Sequence, residues 1–157
     1  VTEIPVLDVT NNVVDITDKT VYSLSSYYAK AVNIEARAMI DIASKHIIPA
    51  VIKYVTSLAT SINQVKEACG DVSVDVQQEL LAESSKLLTD TRNALKELTL
   101  KADLAAAMSH GKEKAEFILY EVVPVMESLR KPVDELEMIV NKEMWPMPSY
   151  GDLLFEV

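Results

Sequence analysis

Apolar side chains recur along this chain in steps of three and four, and that period predicts three long helices. One stripe holds Ile40, Ile47, Val51, Tyr54, Leu58, Ile62 and Val65. A second holds Val76, Leu80, Leu87, Leu88, Leu95, Leu98, Ala102 and Ala105. The third holds Ala115, Ile118, Val122, Met126, Leu129, Val133, Leu136 and Val140. The helices are expected over residues 17–69, 75–109 and 112–144. Thr17 or Asp18 can cap the first, Gly70 offers a left-handed stop, and a break is allowed for near residues 31–33. Asp75 and Gln78 have the spacing of a capping box for the second, with Gly111 as its closing glycine.

Three prolines fall inside these patterns. Pro49 removes the donor that would reach the carbonyl of Lys45, so a kink is expected there. Pro124 and Pro132 should bend or loosen the third helix in the same way. Residues 1–16 lack the helical period and carry β-branched residues, Pro5 and the pair Asn11–Asn12, so they read as an extended lead-in. Residues 145–157 hold Pro146, Pro148 and Gly151 and read as a non-helical tail.

Helices two and three, and the first helix from Asn33 onward, each hold about 33–37 residues, or about 50–55 Å at 1.5 Å per residue, and short connections make neighbours antiparallel. The expected fold is therefore all-α: an up-down-up bundle of three long helices with a lead-in and a tail. One feature exceeds what a bundle needs. On an ideal wheel, Ala36, Met39, Ile40, Ala43, Ile47, Ala50, Val51 and Tyr54 make one apolar face. A second face collects Ile34, Ala38, Ile42, Ile48, Ile52 and Val55. The second face is expected to pack against another domain or subunit, unless the lead-in or tail covers it. The tail's Trp145, Tyr150, Leu153, Leu154 and Phe155 are further anchors, either for a neighbour or for the chain's own bundle.

Composition narrows the function. The formal net charge is −9 and no Lys/Arg cluster stands out, which argues against nucleic acid. No apolar run reaches the length of a membrane span; the best candidate, residues 34–55, is broken by Glu35, Arg37, Asp41, Lys45, His46 and Lys53. Cys69 is the single cysteine, so no intrachain disulfide forms, and a reducing, cytoplasmic setting is expected. The chain opens on Val1 rather than Met, which hints at a piece of a larger protein.

Residues for chemistry are sparse. His46 reads as a histidine at a helix surface and His110 as a cation at a helix end. Neither belongs to a metal-ligand pattern. Asp134, Glu135 and Glu137 fit a solvated face, and Glu121 could lean on Lys114 or Lys131. Cys69 has no neighbouring base to activate it. No catalytic, cofactor-binding or metal-binding residue is expected in this segment.

Two stretches resemble a known family. Residues 33–54 contain Ile34-Glu-Ala-Arg-Ala-Met-Ile-Asp-Ile-Ala followed by Ile47-Ile-Pro-Ala-Val-Ile-Lys-Tyr. This run resembles the I-E-A-x-x-M-x-x-x-A and I-x-P-A-x-x-K-Y pattern near the C-terminus of type III glutamine synthetases. The ending Trp145-Pro-Met-Pro-Ser-Tyr-Gly-Asp-Leu-Leu-Phe is similar to the end of the same enzymes, as is Leu129-Arg-Lys-Pro-Val-Asp-Glu-Leu-Glu before it. The second helix matches only in character, and the first residues are unmatched. The resemblance implies a parent enzyme that joins ammonia to glutamate at the expense of ATP, with Mg or Mn, in a large homo-oligomer. Its catalytic motifs lie upstream, so none is carried over. The implied partners of this segment are the upstream catalytic domain and neighbouring subunits. The competing expectation is a stand-alone helical interaction module, of spectrin-like or focal-adhesion type, without enzymatic activity.

Overall fold

A computed structural model describes the backbone of residues 9–109 and 111–148, and the side chains from Ser26 onward within them. Among the described residues the protein is all-helical with no strand, and its helices form three long rods. The first rod is α1 (Val9–Ile42), a π-helical turn (Ala43–Ile47) and α2 (Ile48–Ala68). The second is α3 (Asp75–Ala107). The third is α4 (Lys112–Phe117), a second π turn (Ile118–Val122) and α5 (Val123–Ile139).

Each π turn answers a proline. Pro49 and Pro124 both sit in the first turn of the helix that follows, one residue after the turn's capping residue. The amides of Ile48 and Val123, immediately before the prolines, donate to the carbonyls of Ala43 and Ile118, five residues back. Widening the turn by one residue absorbs the missing donor and the ring that would strike the preceding turn. The kink expected at Pro49 is thus resolved as a π turn. Pro132 is buried within α5 with no π turn beside it.

Several boundaries differ from expectation. α1 begins at Val9, so the extended segment foreseen for residues 1–16 is helical from Val9 onward; residues 1–8 lie outside the described residues. Extending a nucleated helix through β-branched residues costs only tenths of a kcal/mol each, roughly, and Pro5 lies upstream of that start. The helix runs unbroken through residues 31–33, where Val32 is buried. Gly70 is not left-handed. Cys69 already leaves the helix in an extended conformation while its amide holds the carbonyl of Val65 at 2.9 Å.

The expected Asp75–Gln78 capping box does not form. Val74 occupies the cap position, and the Asp75 amide donates to the Ser73 hydroxyl at 3.3 Å. Asp75 instead supplies a negative charge inside the first turn, where it favours the helix dipole. α3 ends at Ala107, and Gly111, extended at φ 161° and ψ −175°, opens the third rod instead of closing the second. Lys114 reaches back across this joint to the carbonyl of Met108 at 3.4 Å.

The third rod stops at Ile139, five residues short of the expected 144. Asn141 stops it: its side-chain oxygen accepts from the Glu143 amide at 3.0 Å, and its carbonyl accepts from Met144 and Trp145. That turn folds Trp145 back onto the bundle.

Two connected clusters make the core. In the first, Ala29, Val32, Ala36 and Ala43 of the first rod meet Leu95, Leu98 and Ala105 of α3 and Ile118, Val122, Val125, Met126 and Leu129 of the third rod. Alanines every seventh residue let the first rod approach the other two closely. In the second, Ile47, Val51 and Tyr54 pack with Leu87, Leu136 and Val140, and Trp145 closes over them. Each buried leucine contributes about 1.5–3 kcal/mol relative to exposure, so these seams hold the rods together.

Candidate functional site

Among the described residues, the side chains singled out for chemistry lie at the surface. His46 lies exposed on the first π turn and Cys69 is an exposed free thiol. No three His, Cys, Asp or Glu among the described residues lie close enough together to hold a metal ion. The charged groups form pairs at the surface. Lys45 meets Asp41, Arg130 meets Asp134 at 3.6 Å, and Lys112 meets Glu116 at 3.6 Å. Glu121, expected to lean on Lys114 or Lys131, instead meets Lys101 of α3. The neighbouring rod lies closer to it than either lysine on its own rod. His110 lies outside the described residues.

The second apolar face of the first rod is the remaining candidate, and the structure divides it in two. The extra residue in the π turn rotates everything after Ile47 by about 100° relative to an ideal helix. Ile34 and Ala38, before the turn, therefore point away from the core, and Ile34 is 69% exposed. Beyond the turn the residues swing inward. Ile48 packs against the first core cluster, Val55 against the second, and Ile42 at the turn's edge is half-buried on the second as well.

The outward half is larger than the sequence expectation. Tyr27, Ala31, Ile34 and Ala38 are all exposed, at steps of four, three and four along one face of α1. Lys30 leans over the Tyr27 ring, 5.9 Å from its centre. The border facing α3 is fixed by Arg37, whose guanidinium bonds Asp103 at 2.8 Å and the Ala102 carbonyl at 3.2 Å. Tyr27 and Ala31 were legible from their spacing to Ile34.

The inward half becomes a groove between the first rod and α3. Its walls are Ile48, Ile52, Leu88, Thr89, Arg92, Asn93 and Lys96. Ile52 stays half exposed. Arg92 and Lys96, one turn apart, have no ion-pair partner among the described residues. Leu88 was read only as a core position of the second stripe and Arg92 and Lys96 were not singled out, because only the rods' mutual position makes them neighbours of Ile52. In the tail, Trp145 packs on the second cluster with its indole N–H buried and without a partner. Tyr150, Leu153, Leu154 and Phe155 lie outside the described residues.

Comparison with known proteins bears on these surfaces. Residues 16–66, covering most of the first rod, match the family description of the glutamine synthetase C-terminal domain. Over 132 residues the chain is 32% identical to a glutamine synthetase of Bacteroides fragilis, covering 82% of this chain and 18% of that protein. A type-3 glutamine synthetase of Dictyostelium discoideum is 28% identical over 138 residues, covering 84% of this chain and 18% of that protein. A glutamine synthetase of Butyrivibrio fibrisolvens is 26% identical over 145 residues, covering 90% and 21% respectively. The chain thus spans about a fifth of the length of these relatives.

Proposed function

The chain belongs to the glutamine synthetase family, whose C-terminal domain it carries, and we propose that it serves a larger ligase as a non-catalytic assembly domain. The parent activity is the ATP-dependent joining of ammonia to glutamate, with ATP and Mg or Mn held by parts of the protein outside this segment. The setting is cytoplasmic; among the described residues no helix is long and apolar enough to cross a membrane.

We read the rods as running up, down and up, which two sets of contacts support. Arg37 contacts Asp103, and Ile52 shares its groove with Leu88, so residue numbers rise on one rod as they fall on the other. Residues 26–33 border 111–115, and 45–53 border 143–146, which is parallel running of the first and third rods. Stiff rods, about 90 Å long for the first and about 40–50 Å for the other two, suit a strut that fixes the distance between a catalytic body and a neighbouring subunit.

The observation that carries this reading is the stripe Tyr27, Ala31, Ile34 and Ala38, apolar, exposed and turned away from the core. It is the surface we assign to the upstream domain or an adjacent subunit. The test is the full-length parent with Ile34→Asp and Ala38→Asp. Sedimentation velocity should show the oligomer falling to smaller species while circular dichroism keeps its helical signal. An oligomer of unchanged size would overturn the assignment.

A further inference from the structure

Two hollows flank the first rod at the same height. One is lined by Lys45, His46, Pro49 and Lys53 together with Met144 and Pro146, so the residues that follow the third rod reach it. The other, on the α3 side, is the groove around Ile48, Ile52 and Leu88. Its rim carries Arg92 and Lys96, two cations without an ion-pair partner among the described residues in a chain of net charge −9, and no described carboxylate lines it. An apolar floor with a basic rim fits an apolar segment flanked by acids.

Such a segment follows closely in the sequence. After Pro146 come Asp152, Leu153, Leu154, Phe155 and Glu156: three large apolar residues between two carboxylates. Leu153 lies seven positions beyond Pro146, and an extended chain over that span reaches about 23 Å. The rod it must cross is about 10–12 Å wide. The start, the crossing and the groove all lie within residues 45–53 of the first rod, so no travel along the rod is needed.

We propose that residues 152–157 strap across the first rod of the same chain and seat Leu153, Leu154 and Phe155 in the Ile48–Ile52–Leu88 groove, with Asp152 and Glu156 against Arg92 and Lys96. The strap is a contact within one chain and does not depend on the assembly role above. It leaves the stripe of Tyr27 and Ile34 open, because that stripe lies on the other side of the π turn.

Disulfide trapping tests it in the full 157-residue chain with Cys69→Ser. Ile52→Cys with Leu154→Cys should oxidise to an intrachain disulfide, read as a monomer of increased mobility on a non-reducing gel. Ala29→Cys with Ala115→Cys, two short side chains that line one hollow between the first and third rods, serves as the control pair. Adding Arg92→Glu and Lys96→Glu should slow trapping at least tenfold without slowing the control pair. Adding Asp152→Lys and Glu156→Lys as well should restore the rate. A disulfide-linked dimer would assign the groove to the tail of a second copy and overturn the strap. Free thiols at 52 and 154 while the control pair oxidises would overturn it equally.

Discussion

The amide of Ile48 donates to the carbonyl of Ala43, five residues back, and this one bond decides which side chains of the first rod face the core. Pro49 follows immediately. An ordinary α-turn would ask Pro49 for a hydrogen it lacks and would press its ring on the carbonyl of Lys45. The wider turn removes both problems and resets the phase of everything downstream. Val123, Ile118 and Pro124 repeat the arrangement on the third rod.

The π turn carries one residue more than an α-turn, so a chain lacking that residue should close into regular helix with the core in place. Removing exposed Ser44 together with Pro49→Ala is expected to cost less than about 1 kcal/mol, since burial is unchanged and one amide donor is regained. Removing exposed Lys53 from the regular helix α2 instead rotates Tyr54 and Ile62 out of the core. That deletion should cost at least about 2 kcal/mol, the scale of losing a buried large side chain. Urea unfolding followed by circular dichroism compares the two, and equal losses would refute the phase argument.

Burial along α3 separates residues that look equivalent by composition. Leu98 is fully buried between the other two rods, and Leu98→Ala should destabilise by about 2–5 kcal/mol through lost contacts and the cavity left behind. Val76 begins the same helix yet is 67% exposed, and Val76→Ala should change stability by no more than about 0.5 kcal/mol. Thermal melts of the two variants check the contrast.

Most of this core was legible because the helical period survives wherever the helix is regular. From Ile118 to Val140 every expected inward residue is buried or half-buried. Val76 failed because period alone does not say where a neighbouring rod ends: the third rod stops at Ile139 and the residues after it reach only 45–53 of the first rod, short of the first turn of α3. Of the second face, Ile42, Ile48 and Val55 are half-buried while Ile34, Ala38 and Ile52 stay exposed, and the extra residue at Pro49 is what an ideal wheel leaves out. Ser84 and Thr91 were passed over as polar, yet both are fully buried, at seven-residue steps from Leu98 and Ala105.

Arg37 ties the first rod to the end of α3, with both Asp103 and the Ala102 carbonyl as partners. The side chains of Arg37 and Asp103 are 42% and 62% exposed, so water and salt screen the charge between them. A double-mutant cycle with Arg37→Ala and Asp103→Ala should return a coupling below about 1 kcal/mol that shrinks further in high salt. Arg37→Lys should fail to replace it fully, because a single ammonium cannot span both acceptors in the guanidinium's fixed geometry. A coupling that persists at high salt would mean the pair is shielded from solvent by something these surfaces do not show.

Ser84 and Thr91 stand one above the other on α3, both without exposure, and their hydroxyls are in opposite states. Thr91 donates to the Leu87 carbonyl at 2.8 Å, whereas the Ser84 oxygen is buried with no partner. A buried hydroxyl without a bond carries a desolvation cost of about 1–3 kcal/mol, and removing it leaves only a small void. Ser84→Ala should therefore leave the protein as stable or make it more stable by up to about 1 kcal/mol. Thr91→Val keeps the volume but gives up a satisfied bond to a carbonyl that the helix already uses, so it should be near neutral or lose about 1 kcal/mol. The order of the two melting temperatures is the readout: Ser84→Ala above Thr91→Val. The reverse order would mean that the Ser84 hydroxyl holds a bond in solution, and that this layer of the bundle admits a water molecule.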